Sequence, residues 1–537
     1  MKLVTVEEMR AIEQQADAHG WTYAQMMEAA GVGLARVVAE AYTQLAEHTV
    51  LGLVGGGNNG GDTLVALAEL QRLGWQVAAY LARPRPNDPL VARVAHGGGW
   101  ILEAADDPRQ ETLRRAIADH AVLLDGLLGT GARPPLRAET ARILAAAKEA
   151  ATAHGVIVVA VDVPSGIDSD TGEAAEATLP ADLTVTMAAA KVGMAQMPAL
   201  GLVGNVVAVD IGLPEGLPAW EAIHRYWAEA EMVRALLPPR PAEAHKGLFG
   251  HALIAAGSVN FAGAPLLAGK AAYRAGAGRV TLAAPTPLHN ALAGALPEAA
   301  WLLLPHEMGV LAEDAADVLQ KALPRATALL LGPGLGQEQA TADFLARLLG
   351  AKRQGRGTLG FVPAENNAKA SENHLPPLVV EADALKLLAR LPDWPQRLPG
   401  PAVLLPHPGE MATLTNSTPE AIQADRLAAA EKYAKAWGHI VVLKGAGTVV
   451  ASPDGQTAVI PVATPALARA GSGDVLAGMV VGLLAQGLSP WEAAVAGAWL
   501  HAQAGLFAWE NTGTTASVLA REVADALPRV FNAIGYG

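Results

Sequence analysis

The strongest constraint on the fold is a repeated succession of a short apolar run, a glycine-rich loop and a helical segment. The run 50–54 continues into the loop 55–62 and then into the segment 63–73, which has apolar residues at helical spacing. Short apolar runs are typical of strands buried on both faces, as in parallel sheets. Similar runs occur at 121–124, 157–161, 251–256, 328–331 and 440–443. This alternation predicts an α/β protein with parallel sheets between helices.

Length and proline content predict the domain organisation. The chain has 537 residues, enough for two large domains or three smaller ones at roughly 100–200 residues per domain. Proline-rich segments at 213–218 and 237–241 place a boundary between 215 and 240. We expect domains at 1–218 and 225–537.

Charge and composition exclude several classes of protein. The net charge of −13 argues against a general nucleic-acid binder, which would show a basic face. The absence of cysteine excludes disulfides, thiolate catalysis and cysteine-based metal sites. The first residues lack the apolar core of a signal peptide, and the apolar run 475–485 is too short to span a bilayer. We therefore expect a soluble cytoplasmic protein without membrane or nucleic-acid partners.

A glycine-rich corner, Gly471-Ser472-Gly473-Asp474, precedes the apolar helix predicted at 475–485. The first N–H groups of a helix have no internal partners, so such a corner binds anions, typically phosphate. A carboxylate beside bound phosphate suits the removal of a proton from an attacking hydroxyl. The alternative is that Asp474 only caps the helix.

The first glycine loop satisfies G-x-G-x-x-G through Gly55, Gly57 and Gly60. A conventional dinucleotide fold also needs an acid after the next strand, predicted at 76–81. The residues that follow, 82–85, contain none, so we reject an ordinary NAD dehydrogenase. The amides of Asn58 and Asn59 offer oxygen atoms that suit a hard cation beside a phosphate. The alternative is a glycine turn with left-handed asparagines.

Polar residues also follow three later strands of the first half. Asp125 ends one, Asp162 ends the next, and Lys191 follows the strand at 183–187. Because ligands bind at the carboxyl edge of an open parallel sheet, we expect these residues to lie near one site. For Lys191 alone, an ordinary surface charge is the alternative.

The second half shows the same pattern. His407, between two prolines at a strand end, is held in a defined place and favours a binding role over a structural one. The turn 444–448 could wrap a nucleotide, although it lacks the P-loop pattern. Residues 351–377 are polar and without period, and we interpret them as a long mobile loop, with a lid over the site as the alternative.

The first-half motifs, in this order, resemble the NAD(P)H-hydrate epimerase family over about residues 1–215, with a Rossmann-like three-layer domain. The motifs are 57–62, Asp125 with 129–131, 162–168 and 191–193. This family interconverts the R and S hydrates of NAD(P)H at C6 of the nicotinamide ring. The resemblance implies a potassium ion on Asn59, Asp125 and Ser165, and catalytic roles for Asp162 and Lys191. It also implies substrate contacts from Asn58, Asn59, Gly60, Gly61, Asp62, Gly129, Thr130, Gly131, Ala132, Arg133, Pro134, Pro135 and Asp162.

The second half, from about 240 to 530, resembles the ADP- or ATP-dependent NAD(P)H-hydrate dehydratases, a ribokinase-like three-layer α/β family. The matching motifs include 246–250, 263–265, 332–336, 406–410, 444–448 and 471–474. The resemblance implies hydrate contacts from Ala264, Gly336, His407 and Asp474, with Asp474 catalytic. It implies Mg²⁺ with ADP or ATP, and nucleotide contacts from Lys444, Gly445, Ala446, Gly447, Thr448 and Gly473. Glu381 and Lys386 stand where the family typically has Asp and Asn.

Together the halves predict a bifunctional enzyme that epimerises the hydrates and dehydrates the S form through a phosphorylated intermediate. Its partners are then NAD(P)H hydrates and ADP or ATP, and we expect a homo-oligomer. One alternative is a ribokinase-like kinase for a small vitamin precursor, with a nucleotide-binding regulatory N-terminal domain. Another is that the first domain binds ligand without turnover.

Overall fold

The computed structural model describes residues 1–351 and 375–537. The chain divides into two compact units, Met1–Trp227 and Ala228–Gly537. The segment 351–377, predicted to be a mobile loop, lies outside the described residues except at its ends.

Unit 1 is a three-layer α/β unit. Its strands are β1 (Leu3–Val4), β2 (Thr49–Val54), β3 (Gln76–Leu81), β4 (Trp100–Glu103), β5 (Val122–Gly126), β6 (Ile157–Val161), β7 (Leu183–Met187), β8 (Ala190–Lys191), β9 (Asn205–Val209) and β10 (Arg225–Trp227). Its helices are α1 (Val6–Ala18), α2 (Tyr23–Ala41), α3 (Asn58–Arg72), α4 (Pro89–His96), α5 (Glu111–Ala118), α6 (Ala138–His154) and α7 (Pro218–Glu221).

The main sheet of unit 1 has the order β4-β3-β2-β5-β6-β7-β9, and its strands are parallel. Residues 50–54 of strand β2 are apolar because both faces of the strand are covered by helices. Val50 and Val54 pack with α1, α2 and α3 on one face, whereas Leu51 and Leu53 pack with α5 and α6 on the other. A separate parallel pair joins β1 to β8, with Val4 opposite Lys191.

Unit 2 is also a three-layer α/β unit. Its strands are β11 (His251–Ala255), β12 (Arg279–Pro285), β13 (Ala300–Leu304), β14 (His306–Glu307), β15 (Val310–Leu311), β16 (Ala328–Leu331), β17 (Leu378–Val380), β18 (Val403–Leu404), β19 (Ile440–Leu443), β20 (Thr448–Ala451) and β21 (Thr457–Ile460). Its helices are α8 (Ala230–Leu236), α9 (Ala264–Arg274), α10 (Thr286–Leu292), α11 (Ala315–Ala322), α12 (Gln339–Leu348), α13 (Asp383–Leu388), α14 (Trp394–Arg397), α15 (Pro408–Thr415), α16 (Pro419–Ala424), α17 (Arg426–Trp437), α18 (Ser472–Ala485), α19 (Pro490–Thr512) and α20 (Ala520–Ala533).

The sheet of unit 2 runs in the order β21-β20-β19-β18-β17-β16-β11-β12-β13. The strands from β13 to β19 are parallel, and β20 and β21 extend the sheet antiparallel. Helices α11, α12 and α13 pack on one face, while α9 and α18 contact strands of this sheet and each other. The predicted α/β class is thus confirmed for both units.

Two predicted helix starts were wrong. Helix α3 begins at Asn58, not near 63, and α18 begins at Ser472, not at 475. In both cases the glycine-rich loop itself forms the first helical turn, where glycine permits close packing that outweighs its low helix propensity.

Two small residues let α18 and α9 cross at close range. A Cβ atom on Gly478 would lie 2.2 Å from the carbonyl oxygen of Ala268, and one on Gly482 would lie 2.7 Å from that of Ala272. Since backbone atoms of α9 cannot yield as a flexible side chain would, this crossing requires glycine.

We expect Gly478→Ala to destabilise unit 2 by about 1–3 kcal/mol, because the added methyl group forces the two helices apart. The control is Gly294→Ala, where a Cβ atom meets nothing within 4 Å. Urea denaturation of both variants, followed by circular dichroism, measures the difference. Equal stability of the two would contradict the close crossing.

Candidate functional site

The strand order of unit 1 reverses between β2 and β5, because β3 lies on one side of β2 and β5 on the other. Ligands of open α/β sheets bind at such a switch point, outside the carboxyl ends of the strands. A cavity of about 1260 Å³ lies there, lined by residues that follow β2, β3, β5 and β6 and by residues of α1 and α2.

Two glycines make the loop after β2 compact. A Cβ atom on Gly55 would lie 2.0 Å from the carbonyl oxygen of Leu127, and one on Gly60 would lie 2.2 Å from that of Gly55. Side chains are thus excluded where the loop after β2 meets the loop after β5. The first turn of α3 consequently starts at the cavity, with its N–H groups available to an anion.

A buried polar cluster lies behind this loop. The side-chain nitrogen of Asn59 donates to the carbonyl oxygens of Leu128 at 2.7 Å and Val161 at 2.9 Å. The Asp125 carboxylate, fully buried, accepts hydrogen bonds from the Ser165 hydroxyl at 2.6 Å and the Ser165 N–H at 2.8 Å. Burial raises the pKa of Asp125, although the bonds from Ser165 oppose the rise.

Asp162 and Lys191 form a buried ion pair. Asp162 has a left-handed backbone, with φ of 66°, which turns the chain sharply after β6. Its Oδ1 atom accepts from the Lys191 ammonium, from the Thr186 hydroxyl at 3.0 Å and from the Met187 N–H at 3.0 Å. Only 1% of the Lys191 side chain is exposed, so this lysine is not the surface charge that the sequence left open.

Two more carboxyl groups face this pair. Burial raises the pKa of Asp62 well above its usual value, and Asp162 and Glu13 raise it further. Burial also raises the pKa of Glu13, with Lys191 opposing the rise and Asp162 adding to it. Near Lys191, the cavity wall therefore carries three carboxyl groups and one buried ammonium.

The structure places the predicted epimerase residues in two layers. Those that line the cavity are Asn58, Asn59, Asp62, Gly129, Thr130, Gly131, Ala132, Arg133, Pro135, Asp162 and Lys191. Gly60, Gly61, Asp125 and Ser165 are buried behind them, and Pro134 is likewise not among the lining residues. Glu13 was missed, although a signal existed: it shares the stripe of α1 that includes the buried residues Val6, Met9 and Ala16.

In unit 2, the catalytic candidate Asp474 lies in the first turn of α18. Helix α18 follows Gly471, whose φ of 87° provides the turn. Burial raises the pKa of Asp474 to about 7, with Glu381 adding to the rise and Lys444 opposing it. A carboxyl group with such a pKa exchanges protons near neutral pH, as a general base must.

Lys444, at the end of β19, lies among carboxylates. Its ammonium donates to Glu381 Oε1 at 2.8 Å and lies 3.7 Å from Glu410 Oε2. Burial alone would lower the pKa of Lys444, but Glu381, Glu410 and Asp474 raise it. Both groups of the pair also meet α18, since a Cβ atom on Gly473 would lie 2.7 Å from Glu381 Oε1 and 3.3 Å from Lys444 Nζ.

His407 caps helix α15. Its Nδ1 atom accepts hydrogen bonds from the backbone N–H groups of Gly409 at 3.0 Å and Glu410 at 3.3 Å. The backbone N–H of His407 donates to Glu410 Oε2 at 2.9 Å. Burial lowers the pKa of His407. About half of the side chain, 51%, is nevertheless exposed, so the ring can both cap the helix and contact a ligand.

Asp383 positions the other predicted substrate loop. Its carboxylate accepts from the Gly336 N–H at 3.0 Å and from the Gln337 side chain at 3.2 Å. Ala264 begins α9 and faces the same loop, because a Cβ atom on Gly334 would lie 3.0 Å from the Cβ of Ala264. Lys386, one of the two residues that depart from the family pattern, has its ammonium 3.6 Å from the Asp383 carboxylate.

The predicted nucleotide turn 444–448 is closed by Thr448, whose hydroxyl donates to the Gly445 carbonyl oxygen at 2.9 Å. Arg426, which the sequence analysis missed, supports the turn: its guanidinium donates to the Leu443 carbonyl oxygen at 2.8 Å and lies against Gly445. Burial lowers the pKa of Arg426 to about 10.

A second missed residue is His501 of α19. Its Nε2 atom lies 3.1 Å from the Ser472 hydroxyl, at the first turn of α18. Burial lowers the pKa of His501 to about 4, so the ring is neutral and its Nε2 either donates to or accepts from the serine. A histidine inside an alanine-rich buried helix was the available sequence signal.

Within the described ranges, 1–351 and 375–537, no three His, Asp or Glu side chains are arranged as the ligands of a metal ion. No helix in the same ranges has both the length and the apolar character required to cross a bilayer.

Two family profiles match different parts of the chain. A family profile described as NAD(P)H-hydrate dehydratase matches residues 252–529, and one described as YjeF-related protein N-terminus matches residues 23–193. The crystal structure of an ADP/ATP-dependent NAD(P)H-hydrate dehydratase from Bacillus subtilis, co-crystallised with ATP/Mg²⁺, is 31% identical. It covers 57% of this chain and 98% of its own, with a TM-score of 0.46.

Relatives also match along nearly the full length. The bifunctional NAD(P)H-hydrate repair enzyme Nnr of Moorella thermoacetica is 37% identical over 99% of this chain and 96% of its own. The protein of the same name from Salinibacter ruber is 37% identical over 98% and 96%. That from Escherichia coli K12 is 32% identical over 97% and 92%. This chain belongs to the family of bifunctional NAD(P)H-hydrate repair enzymes.

Proposed function

We propose that the chain repairs hydrated NAD(P)H, with residues 1–218 as the epimerase and residues 225–537 as the dehydratase. The observation that carries the proposal is Asp474, a half-buried carboxyl group with a pKa of about 7 at the first turn of α18. Full-length similarity to repair enzymes disfavours the alternative of a vitamin-precursor kinase with a regulatory first domain. A homo-oligomer in the cytoplasm, without nucleic-acid partners, stays a prediction.

In the dehydratase, we assign Asp474 to remove the proton of the C6 hydroxyl. The hydroxyl oxygen then attacks the terminal phosphorus of ADP or ATP, and the bond from that phosphorus to the nucleotide breaks. Phosphate leaves from C6 as the ring nitrogen donates its lone pair, and loss of a proton from C5 forms the double bond of NAD(P)H. Phosphate is a far better leaving group than hydroxide, which is the reason to use a nucleotide.

The surrounding residues suit this assignment. We assign Lys444, Gly445, Ala446, Gly447, Thr448 and Gly473 to the nucleotide, and Ala264, Gly336 and His407 to the hydrate. Mg²⁺ is usually held by one or two carboxylates and by substrate phosphates, where it neutralises phosphate charge. Glu381 fits that role, since its Oε2 atom is buried without a hydrogen-bond partner in the described ranges.

In the epimerase, we assign Asn58–Asp62 and Gly129–Pro135 to the dinucleotide and Asp162 to the reacting ring. The cavity of about 1260 Å³ exceeds the 300–1,000 Å³ common for drug-sized ligands, as a dinucleotide requires. Lys191 acts as a positioning residue, because it holds Asp162 and is itself almost fully buried.

We assign a potassium ion to Asn59, Asp125 and Ser165. The fit rests on Asp125, which is fully buried and has hydrogen-bond donors as its neighbours, with no cationic side chain among the causes of its pKa shift. A bound monovalent cation would neutralise this carboxylate and supply positive charge next to the phosphate loop.

The direct test of the proposed function is recovery of NADH from chemically prepared hydrate, followed by the absorbance of reduced nicotinamide. We expect recovery that depends on added ADP or ATP, the two run in parallel, and that proceeds through both epimers. An enzyme that consumes neither epimer with either nucleotide would refute the proposal.

Asp474→Asn should abolish dehydration and leave epimerisation intact, whereas Asp162→Asn should do the converse. The reason is that each variant removes the carboxylate from only one unit. Chromatography of the two epimers measures epimerisation without nucleotide, and NADH absorbance measures dehydration. Parallel loss of both activities in either variant would contradict the division of labour.

The dehydration rate should rise with pH and level off above about pH 7. Asp474 acts as a base only when deprotonated, so activity is lost as the pH falls through its pKa of about 7. The measurement is kcat/KM for the S hydrate from about pH 5.5 to about pH 8.5. A rate that is constant over this range would remove Asp474 from the role of base.

Potassium should raise the melting temperature of the full chain. Binding at about ten times the dissociation constant adds about 1.4 kcal/mol, or roughly 3–6 °C for a unit of this size. The comparison is KCl against tetramethylammonium chloride at equal ionic strength. Asp125→Asn should eliminate the difference, whereas Asp119→Asn, at an exposed position, should keep it. A difference that persists in Asp125→Asn would place the ion elsewhere.

A further inference from the structure

Glu13 is a carboxyl group of the cavity wall with no role in the assignments of dinucleotide, reacting ring or potassium. It projects from α1 into the cavity, where Asp62 and Asp162 also line the wall. The three residues come from separate parts of unit 1, namely the first helix, the start of α3 and the turn after β6. Their convergence around the single ammonium of Lys191 is therefore a product of the fold and not of one local motif.

The charges in this group do not balance. Lys191 bonds directly to Asp162, and its remaining hydrogen bonds go to the Thr186 hydroxyl and to the carbonyl oxygens of Met187 and Ala189. One ammonium thus faces three carboxyl groups, and Arg10 also acts on Glu13. Burial is the main reason why the pKa values of Asp62 and Glu13 are raised, and Asp162 contributes to both. The other charged residues on the wall are Arg10, Arg83, Arg85, Arg133, Arg137 and Glu139.

Pairs of carboxyl groups in unlike environments often divide into an acid and a base. Asp162 accepts three hydrogen bonds on one oxygen, from the Lys191 ammonium, the Thr186 hydroxyl and the Met187 N–H. Asp62 accepts no comparable set from the described residues. We propose that Asp62 and Asp162 serve as the acid and the base of C6 epimerisation, and that Glu13 returns the proton between them. This inference rests on the proposed epimerase function.

Asp62 gives its proton to the C6 hydroxyl, the C6–O bond breaks, and water leaves while the ring nitrogen supplies the electron pair of a C=N bond. A second water molecule then adds to C6 from the opposite face and gives a proton to Asp162. The proton passes from Asp162 through Glu13 to Asp62, which restores the starting state. One water molecule leaves and one enters, so the hydrate keeps its composition and only the configuration at C6 changes.

An alternative route breaks the C6–N bond, opens the ring to an aldehyde and closes it on the other face. That route retains the original oxygen during the reaction itself. The two routes therefore differ in the source of the oxygen atom in the product.

The first experiment uses the full-length protein without nucleotide, pure S hydrate and water enriched in ¹⁸O. Mass spectrometry of the R hydrate formed early in the reaction should show one ¹⁸O atom per molecule. Formation of unlabelled R hydrate would overturn the proposed acid–base route while leaving the epimerase function intact. Failure to form any R hydrate would instead refute the epimerase function itself.

The second experiment tests Glu13. We expect Glu13→Gln to lower kcat of epimerisation about 100-fold or more with little change in KM, since a glutamine cannot relay a proton. Dehydration of S hydrate by unit 2 should be unchanged. The matched control, Asp17→Asn, changes an exposed carboxyl group on the same helix and should keep full activity. A Glu13→Gln variant with the wild-type rate would overturn the relay.

A structural role for Glu13 is separated from a relay by chemical rescue. Formate supplied to Glu13→Ala should recover the epimerisation rate about tenfold or more, because a small carboxylic acid can occupy the vacated space and carry the proton. For the wild-type enzyme, kcat/KM of epimerisation should decline on the alkaline side as Asp62 loses its proton. In Asp62→Asn this decline should be absent, since no acid remains to be deprotonated. The absence of rescue by formate would count against the relay even if Glu13→Gln is inactive.

Discussion

Each unit of this protein depends on one buried ammonium placed among several carboxyl groups. In unit 1, Lys191 holds Asp162, with Asp62 and Glu13 near it. In unit 2, Lys444 holds Glu381, with Glu410 and Asp474 near it. A carboxylate in such an interior is costly without a cation, whereas a single cation cannot neutralise three acids. Both sites therefore hold more acidic groups than the one ammonium can pair with, and such groups suit proton transfer and the binding of further cations.

The backbone brings these charges together through glycines at points of close approach. Gly473 lies against both members of the Glu381–Lys444 pair. Gly55 lies against the loop after β5, and Gly60 lies against Gly55 within the loop after β2. A side chain at any of these points would separate the helix N-terminus from the charges beside it. The same residues that were recognised as phosphate loops in the sequence thus also set the electrostatics of the two sites.

Most strands and helices that end at the sites could be predicted from the sequence, because buried parallel strands and helical periodicity leave strong patterns. The strands predicted at 157–161, 328–331 and 440–443 have those bounds in the structure. The starts of α3 and α18 could not be predicted, since glycine lowers helix propensity and only tertiary packing explains its presence there. Glu13, Arg426 and His501 were missed for another reason: each reaches its site from a helix that carries no motif, so only the fold reveals its neighbours. The roles of the individual site residues remain assignments that the experiments above can test.

The pairing of β1 with β8 has a consequence for how unit 1 is made. Leu3 and Val4 pair with Ala190 and Lys191, which lie near the opposite end of the unit in sequence. During synthesis, the first strand leaves the ribosome long before its partner exists, and α1 follows it directly. Glu13 can meet Asp162 and Lys191 only after most of the unit has emerged. The N-terminal segment therefore stays exposed during synthesis until residues 190–191 have emerged, and it is one of the last parts of unit 1 to be anchored.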